Sequence, residues 1–295
     1  MCPSSLGIAA SQFRRRFHRL PAWVIGQLER AIGRNLITLR GSGMPLTYFA
    51  HQLFVLPFKA TRPRWFDGTA LCIGSMAPDF AYAWVGTRLA FSSHHAAAHL
   101  TWSLPVTLLC TRIVRAHLAE PIGAQLPDPI GCEVRALSRS VHHWAVTVLS
   151  ALLGSLSHVF VDSFTHRHGW GYDHFEVLHH HVLPGWQVAD VLQYVGHVFG
   201  SLLCLLWCMR LCAQHRVSAW NGSEHEPSRY DAAPWFWPAL RFLAVLCGVV
   251  TLVLVFRGDS MPVAIMRSSY LAFGGLCWIA FSVRREAREI AGPAE

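Results

Sequence analysis

The stretch GSLSHVFVDSFTHRHGW, residues 154–170, places His158, Asp162 and His166 four residues apart at the end of an otherwise apolar run. On an α-helix a step of four residues turns about 40° past a full circle and rises about 6 Å, so the three side chains share one stripe. Neighbours on such a stripe can share a metal ion, the geometry that makes His-x3-His pairs zinc ligands. The plainer alternative is a His–Asp hydrogen-bonded pair that ties helices together or sits at the headgroup level. An isolated pair favours that plainer reading, so the choice depends on what the rest of the chain brings to the same place.

The elements that must position these residues are greasy. Of 295 residues, 53% are hydrophobic and 14% charged, against about 25% charged in a soluble domain. With about 20 apolar residues needed per crossing, apolar segments fall near 44–58, 68–88, 98–116, 141–164, 188–213, 235–256 and 262–283. The expected fold is all-α, a polytopic integral membrane bundle of about seven transmembrane or membrane-embedded helices. It forms a single membrane domain over 44–290. Residues 1–43 differ: they are basic, with RRR at 14–16 and no clean cleavage site after an apolar core, so a signal peptide is not expected. They read as an interfacial helix or as sequence upstream of the true start, because Met44 opens a cleaner membrane protein. Cys204, Cys208 and Cys212 share a helix face, but with no CxxC spacing they read as packing residues.

The net charge of +8 comes mostly from arginine; Lys59 is the only lysine. These arginines flank apolar runs and form no aromatic-basic face, so nucleic acid is not an expected partner. Lys59, Arg62 and Arg64, then Arg112, Arg115, Arg135 and Arg139, then Arg210, Arg216 and Arg229, then Arg284, Arg285 and Arg288 occupy alternate connections. The positive-inside rule puts those connections and the C-terminus in the cytoplasm. The intervening connections then face outward, and His51, Asp79, His94, His158, Asp162 and His166 all fall toward that side. Ionisable residues within the membrane are costly unless paired, hydrated or coordinating. Six of them on one side favour a metal site over a structural pair. Imidazole and carboxylate without thiolate suit a divalent ion: zinc first, with manganese and iron as alternatives. Six candidates exceed what one zinc needs, which allows a two-metal site. His166 is either a ligand or a general acid. The HHH run at 179–181 reads as exposed.

The segments MPLTYFAHQLFVLPF, CIGSMAPDF, SHHAAAHLTWSLPV, GSLSHVFVDSFTHRHG and VLQYVGHVFG resemble, in order, the motifs of a bacterial membrane family called domain of unknown function 4184. The resemblance covers 44–210 by motif and the last two segments by hydropathy, and it starts at Met44. The order of an early His, a Pro-Asp pair, a His-containing connection and HxxxD is also distantly similar to inner-membrane metal-dependent hydrolases. It implies His51, Asp79, His94, His158, Asp162, His166 and Gln193 as site positions. The chain departs from the pattern at Ser103, where the family tends to carry Asp, and at His197, where a small residue is usual. His99 is extra, and either His99 or His197 is placed to compensate.

The leading functional expectation is a metal-dependent hydrolase in the bacterial cytoplasmic membrane. It would act at the outer face on a lipid or lipid-linked (phospho)ester, with Asp162 and His166 as its catalytic residues. Membrane lipid is the expected partner. A non-enzymatic metal-binding or structural membrane protein is the main alternative. A di-iron lipid oxidase is weaker, because His95 and His99 make only one HxxxH box. No GxSxG elbow and no phosphate-binding glycine loop is present.

Overall fold

The computed structural model describes residues 49–291 apart from 141, 168 and 223–227. The basic extension at 1–43 lies outside the described residues. Among the described residues four helices are long and apolar enough to cross a membrane: α6 (Trp144–Thr165), α7 (Val188–Ala213), α9 (Phe236–Arg257) and α10 (Met261–Ala291). Before α6 come α1 (Gln52–Thr61), α2 (Gly68–Gly74), α3 (Ala77–Phe80), α4 (Leu104–Ile113) and α5 (Ile130–Ala136). The short α8 (Arg216–Trp220) follows α7. Among the described residues the only strands are β1 (His181–Leu183) and β2 (Trp186–Gln187), a hairpin turned by Gly185 at φ +82.

Three of the apolar segments depart from a simple crossing, and proline accounts for two of them. The 68–88 segment breaks after α2 and restarts as α3, with Pro78 in the first turn, where its missing N–H costs nothing. A 3-10 turn, Ala81–Trp84, completes it. The 98–116 segment lies in a helical run over 96–123 that contains two π turns, His99–Ser103 and Val114–Leu118. Each π turn precedes a proline, Pro105 or Pro121, which cannot donate to the fourth carbonyl behind it. At 10 residues α1 is about 15 Å long, half the hydrocarbon thickness.

The core of the bundle is the contact of α2 with α6. Ala70, Leu71 and Gly74 are buried on one side, and Ser150, Ala151, Gly154 and Ser155 on the other. A Cβ at Gly74 would stand 2.5 Å from the Ala151 carbonyl oxygen, and one at Gly154 would collide with the Leu71 carbonyl oxygen. Backbone meets backbone here, as small residues permit between membrane helices. The start of α2 is pinned by Asp67. Its carboxylate accepts from Ala70 N (3.1 Å) and from Thr147 Oγ1 of α6 (2.7 Å), and it pairs with Arg115. The Asp67 N–H in turn donates to Ser150 Oγ at 2.9 Å. This fully buried carboxylate is therefore paired and bonded on every side, the condition under which a buried charge is tolerated.

On the other flank α9 packs on α10 through Phe236, Leu243, Ile279 and Val283. Only Phe236 and Leu243 of α9 are buried; exposed apolar residues such as Phe242, Val245, Val249, Leu252 and Phe256 recur every three to four positions along one face, the pattern of a helix with one side open to lipid. Arg267 of α10 donates to the carbonyls of Ala83 (3.1 Å) and Val85 (2.7 Å), joining this pair to the turn after α3.

The α2–α6 contact predicts a sharp positional contrast. Gly154→Val overpacks a backbone contact and is expected to destabilise by about 1–3 kcal/mol or more. Gly248→Ala in α9, where an added Cβ meets nothing within 4 Å, is expected to be neutral. Thermal unfolding of the two variants in detergent separates these outcomes.

Candidate metal centre

The lower half of α6 delivers the stripe anticipated from its spacing. His158 and Asp162 are buried on one face of the helix, His158 against Ser75 at the end of α2, whereas the helix ends at Thr165. His166 follows in extended conformation as the C-cap, its N–H bonded to the Asp162 carbonyl at 2.8 Å. The stripe is therefore continuous through Asp162 and bent away at His166.

His158 is fully buried, and its Nδ1–H donates to the Ser75 carbonyl at 2.8 Å. That bond fixes the tautomer and leaves the Nε2 lone pair facing inward, the usual arrangement behind a metal-ligating histidine. Nε2 lies 3.2 Å from Asp162 Oδ2 and 3.3 Å from Asp79 Oδ1. Asp79 comes from α3, placed by the break at Pro78. His94 Nε2 approaches from the connection after α3, 3.8 Å from Asp79 Oδ1 and 3.7 Å from Asp162 Oδ2. Its Nδ1 is 3.1 Å from Ser93 Oγ.

Asp79, His94, His158 and Asp162 each bring a ligand atom to within 4.8 Å of all the others, a set that can hold a metal ion. Two ligands at tetrahedral angles on zinc are separated by about 3.3–3.4 Å when both are N or O. The observed separations, 3.2 to 3.8 Å, straddle that value. The Nε2 atoms of His94 and His158 and both nitrogens of His51 are buried without a hydrogen bond among the described residues. Two buried carboxylates side by side also require a cationic partner. Imidazole nitrogens that face a pair of buried carboxylates at 3.2–3.8 Å form a donor set that a cation can enter.

The remaining candidates take different places. His51, at the head of α1, reaches Asp162 Oδ1 at 3.3 Å, and its ring lies 4.0 Å from that of His158. It adjoins the four-residue set through Asp162. His166 has Nδ1 3.9 Å from Asp162 Oδ2 and 3.2 Å from the Asp162 carbonyl. Its Nε2 accepts from the Gln193 amide of α7 at 3.2 Å. His99 turns to Ser155 Oγ at 2.6 Å. His197 is buried on α7 with Nε2 unbonded among the described residues. Of the HHH run, His179 donates to the Tyr172 carbonyl, while His180 and His181 are exposed.

A cavity of about 570 Å³ between α1, α6 and α7 leads to this centre. His51, Asp162, Gln193 and His197 line its inner end, and Phe54, Phe58, Phe160 and Leu192 its apolar remainder. Those four apolar side chains are themselves exposed on the bundle surface.

Residues 44–283 match the model of a family described as a domain of unknown function, DUF4184. The chain belongs to this family. No curated protein and no solved structure matches it. The matched DUF4184 region begins at Met44 and contains every residue of the centre and its cavity.

Ser75 contributes a backbone carbonyl, which has no side-chain signature in the sequence. A usable signal was the small-residue stripe of Ala70 and Gly74 facing Ala151 and Ser155, the pattern of close helix contact in membranes. It places α2 against α6 and so brings Ser75 to His158.

The geometry predicts graded metal loss. His158→Ala is expected to abolish divalent-metal binding at this centre, and Ser93→Ala, which removes the partner of His94 Nδ1, to weaken it there about 10–100-fold. His99→Ala is expected to retain it. Metal titration of the chelator-stripped variants measures all three.

Proposed function

We propose that this chain is a membrane-embedded metal-dependent hydrolase acting on a lipid or lipid-linked (phospho)ester. The observation that carries the proposal is the joining of two features that seldom meet: a buried imidazole–carboxylate centre and an apolar cavity at its edge. A water-soluble substrate needs no apolar approach, and a purely structural His–Asp network needs no cavity.

Asp79, His94, His158 and Asp162 would hold a divalent ion, zinc before manganese or iron, with His51 next to Asp162. A bound ion of this kind supplies Lewis acidity and an acidified water. Asp162 has two tasks, since one carboxylate oxygen faces His158 and His94 and the other faces His51. Ser75, through its carbonyl, holds the proton of His158 at Nδ1 and so keeps the ring oriented. His166 holds its proton at Nδ1 against the Asp162 carbonyl, and Gln193 fixes the ring through Nε2. At the rim, with a third of its side chain exposed, His166 would act as general acid only when protonated at Nε2 as well, with the Gln193 amide displaced. It would then hand the Nε2 proton to a leaving oxygen and return to the Nδ1–H tautomer. The phenylalanines of α1 and α6 exclude water and seat the acyl chain. The arginine distribution supports a site that opens to the extracytoplasmic side, with the C-terminus in the cytoplasm.

The test begins with elemental mass spectrometry of detergent-purified full chain beside Asp162→Ala. At least about one zinc ion per chain is expected in the wild type, and Asp162→Ala is expected to lose the share held at this tetrahedral-type centre. Turnover is then measured on long-chain phospholipid and ester vesicles and on short-chain soluble analogues. Gly196 lines the cavity and an added Cβ there meets nothing within 4 Å, so Gly196→Phe fills the cavity without strain. It is expected to cut long-chain turnover at least about tenfold, 1.4 kcal/mol in the barrier, and to spare the short-chain reaction. Stoichiometric metal with no turnover on any ester would leave the non-enzymatic metal-binding reading. Bound iron with oxygen consumption would favour the oxidase, and no metal in the wild type would end the proposal.

A further inference from the structure

A second cluster of ligand-type side chains lies at the other end of the bundle. Cys132 and Glu133 stand on α5, and His215 at the junction of α7 and α8; all three have ligand atoms within 4.8 Å of one another. From His197, beside the first centre, α7 runs a further 16 residues to Ala213, about 24 Å. The two clusters are separate sites.

The three separations are 3.6 Å for Cys132 Sγ to His215 Nδ1, 3.4 Å for His215 Nδ1 to Glu133 Oε1 and 3.8 Å for Cys132 Sγ to Glu133 Oε1. Tetrahedral zinc sets about 3.5–3.6 Å between a thiolate and an N or O ligand, and about 3.3–3.4 Å between N and O. The cluster thus forms one triangular face of such a site.

Two features show that the face is built. Glu133 is 2% exposed, and its two oxygens are divided in function. Oε2 accepts the backbone N–H groups of Val217 (2.6 Å) and Ser218 (3.1 Å), which anchors the carboxylate at the start of α8. Oε1 is then held toward the thiol and the imidazole, as an outer hydrogen bond holds a metal-ligating carboxylate. His215 occupies the left-handed backbone region at φ 52 and ψ 37, just past the end of α7. Glycine is the usual residue there, and a side chain carries a steric cost. The conformation directs the imidazole back onto α5, and the ring stays 40% exposed on its outer side, which leaves a route for an ion and room for a fourth ligand from solvent.

We infer that Cys132, Glu133 and His215 form a second transition-metal site, zinc-type and distinguished from the first by its thiolate. An ion there clamps α5 to the α7–α8 junction. Because the donor sets differ, the two sites have different spectroscopic signatures. Thiolate ligation of cobalt gives an intense near-ultraviolet charge-transfer band, and imidazole–carboxylate ligation does not.

Chelator-stripped full chain in detergent is titrated with Co²⁺ alone. The expected result is the thiolate-to-cobalt band in the wild type, its loss in Cys132→Ser and in His215→Ala, and its persistence in Asp162→Ala and in Cys247→Ser. Absence of the band from cobalt-treated wild type, or its survival in Cys132→Ser, overturns the inference. A readout independent of variants is alkylation of Cys132 in the wild type, followed by peptide mass spectrometry. Zn²⁺ is expected to slow it, and an unchanged rate overturns the site.

Discussion

The bond from His158 Nδ1–H to the Ser75 carbonyl is the constraint on which the rest of the centre depends. It forms only because α2 and α6 touch backbone to backbone at Gly74, Ala151 and Gly154. A carbonyl at the end of a helix needs a donor, and in a membrane water is not available to supply one. His158 meets that need with one nitrogen and thereby commits the other to the interior. Any side chain at Gly154 would part the helices and break the bond. A packing choice thus becomes a choice of tautomer, and the tautomer determines what the ring can coordinate.

The same logic explains how charged groups survive in so apolar a chain. Asp67 is neutralised by Arg115 and by hydrogen bonds from both helices it joins. Asp79 and Asp162 pair instead with histidines, His51, His94 and His158. One buried carboxylate therefore serves the fold and two serve the centre, and the difference is whether a permanent cation has been built in. The centre is asymmetric in its surroundings too, with polar residues crowded at the inner end of the α1–α6–α7 cavity and phenylalanines along the rest.

Much of this was legible in the chain itself. The HxxxD pair survives as a contact because a helical step of four residues is a local property. The membrane character follows from composition, and the four longest apolar runs that form helices of spanning length are those whose pattern no proline interrupts in mid-segment. Where proline intervenes, hydropathy overstates regularity: 68–88 and 98–116 read as plain crossings but fold as a broken helix and a run with π turns. Asp79 owes its position to that break, since an unbroken helix through Pro78 would have turned it elsewhere.

What the sequence by itself determined is the inventory and the local geometry: apolar helices, arginines in alternate connections, and a His–Asp stripe on α6, all set by composition and by helical periodicity. Tertiary structure alone decided which distant residues meet. It joined Asp79 and His94 to that stripe, diverted His99 to Ser155 and His166 to Gln193, and assembled Cys132, Glu133 and His215 from positions more than 80 residues apart. The physical reason is that side-chain convergence across helices depends on crossing geometry, which small residues, proline breaks and a single left-handed residue set, and which no one-dimensional spacing encodes.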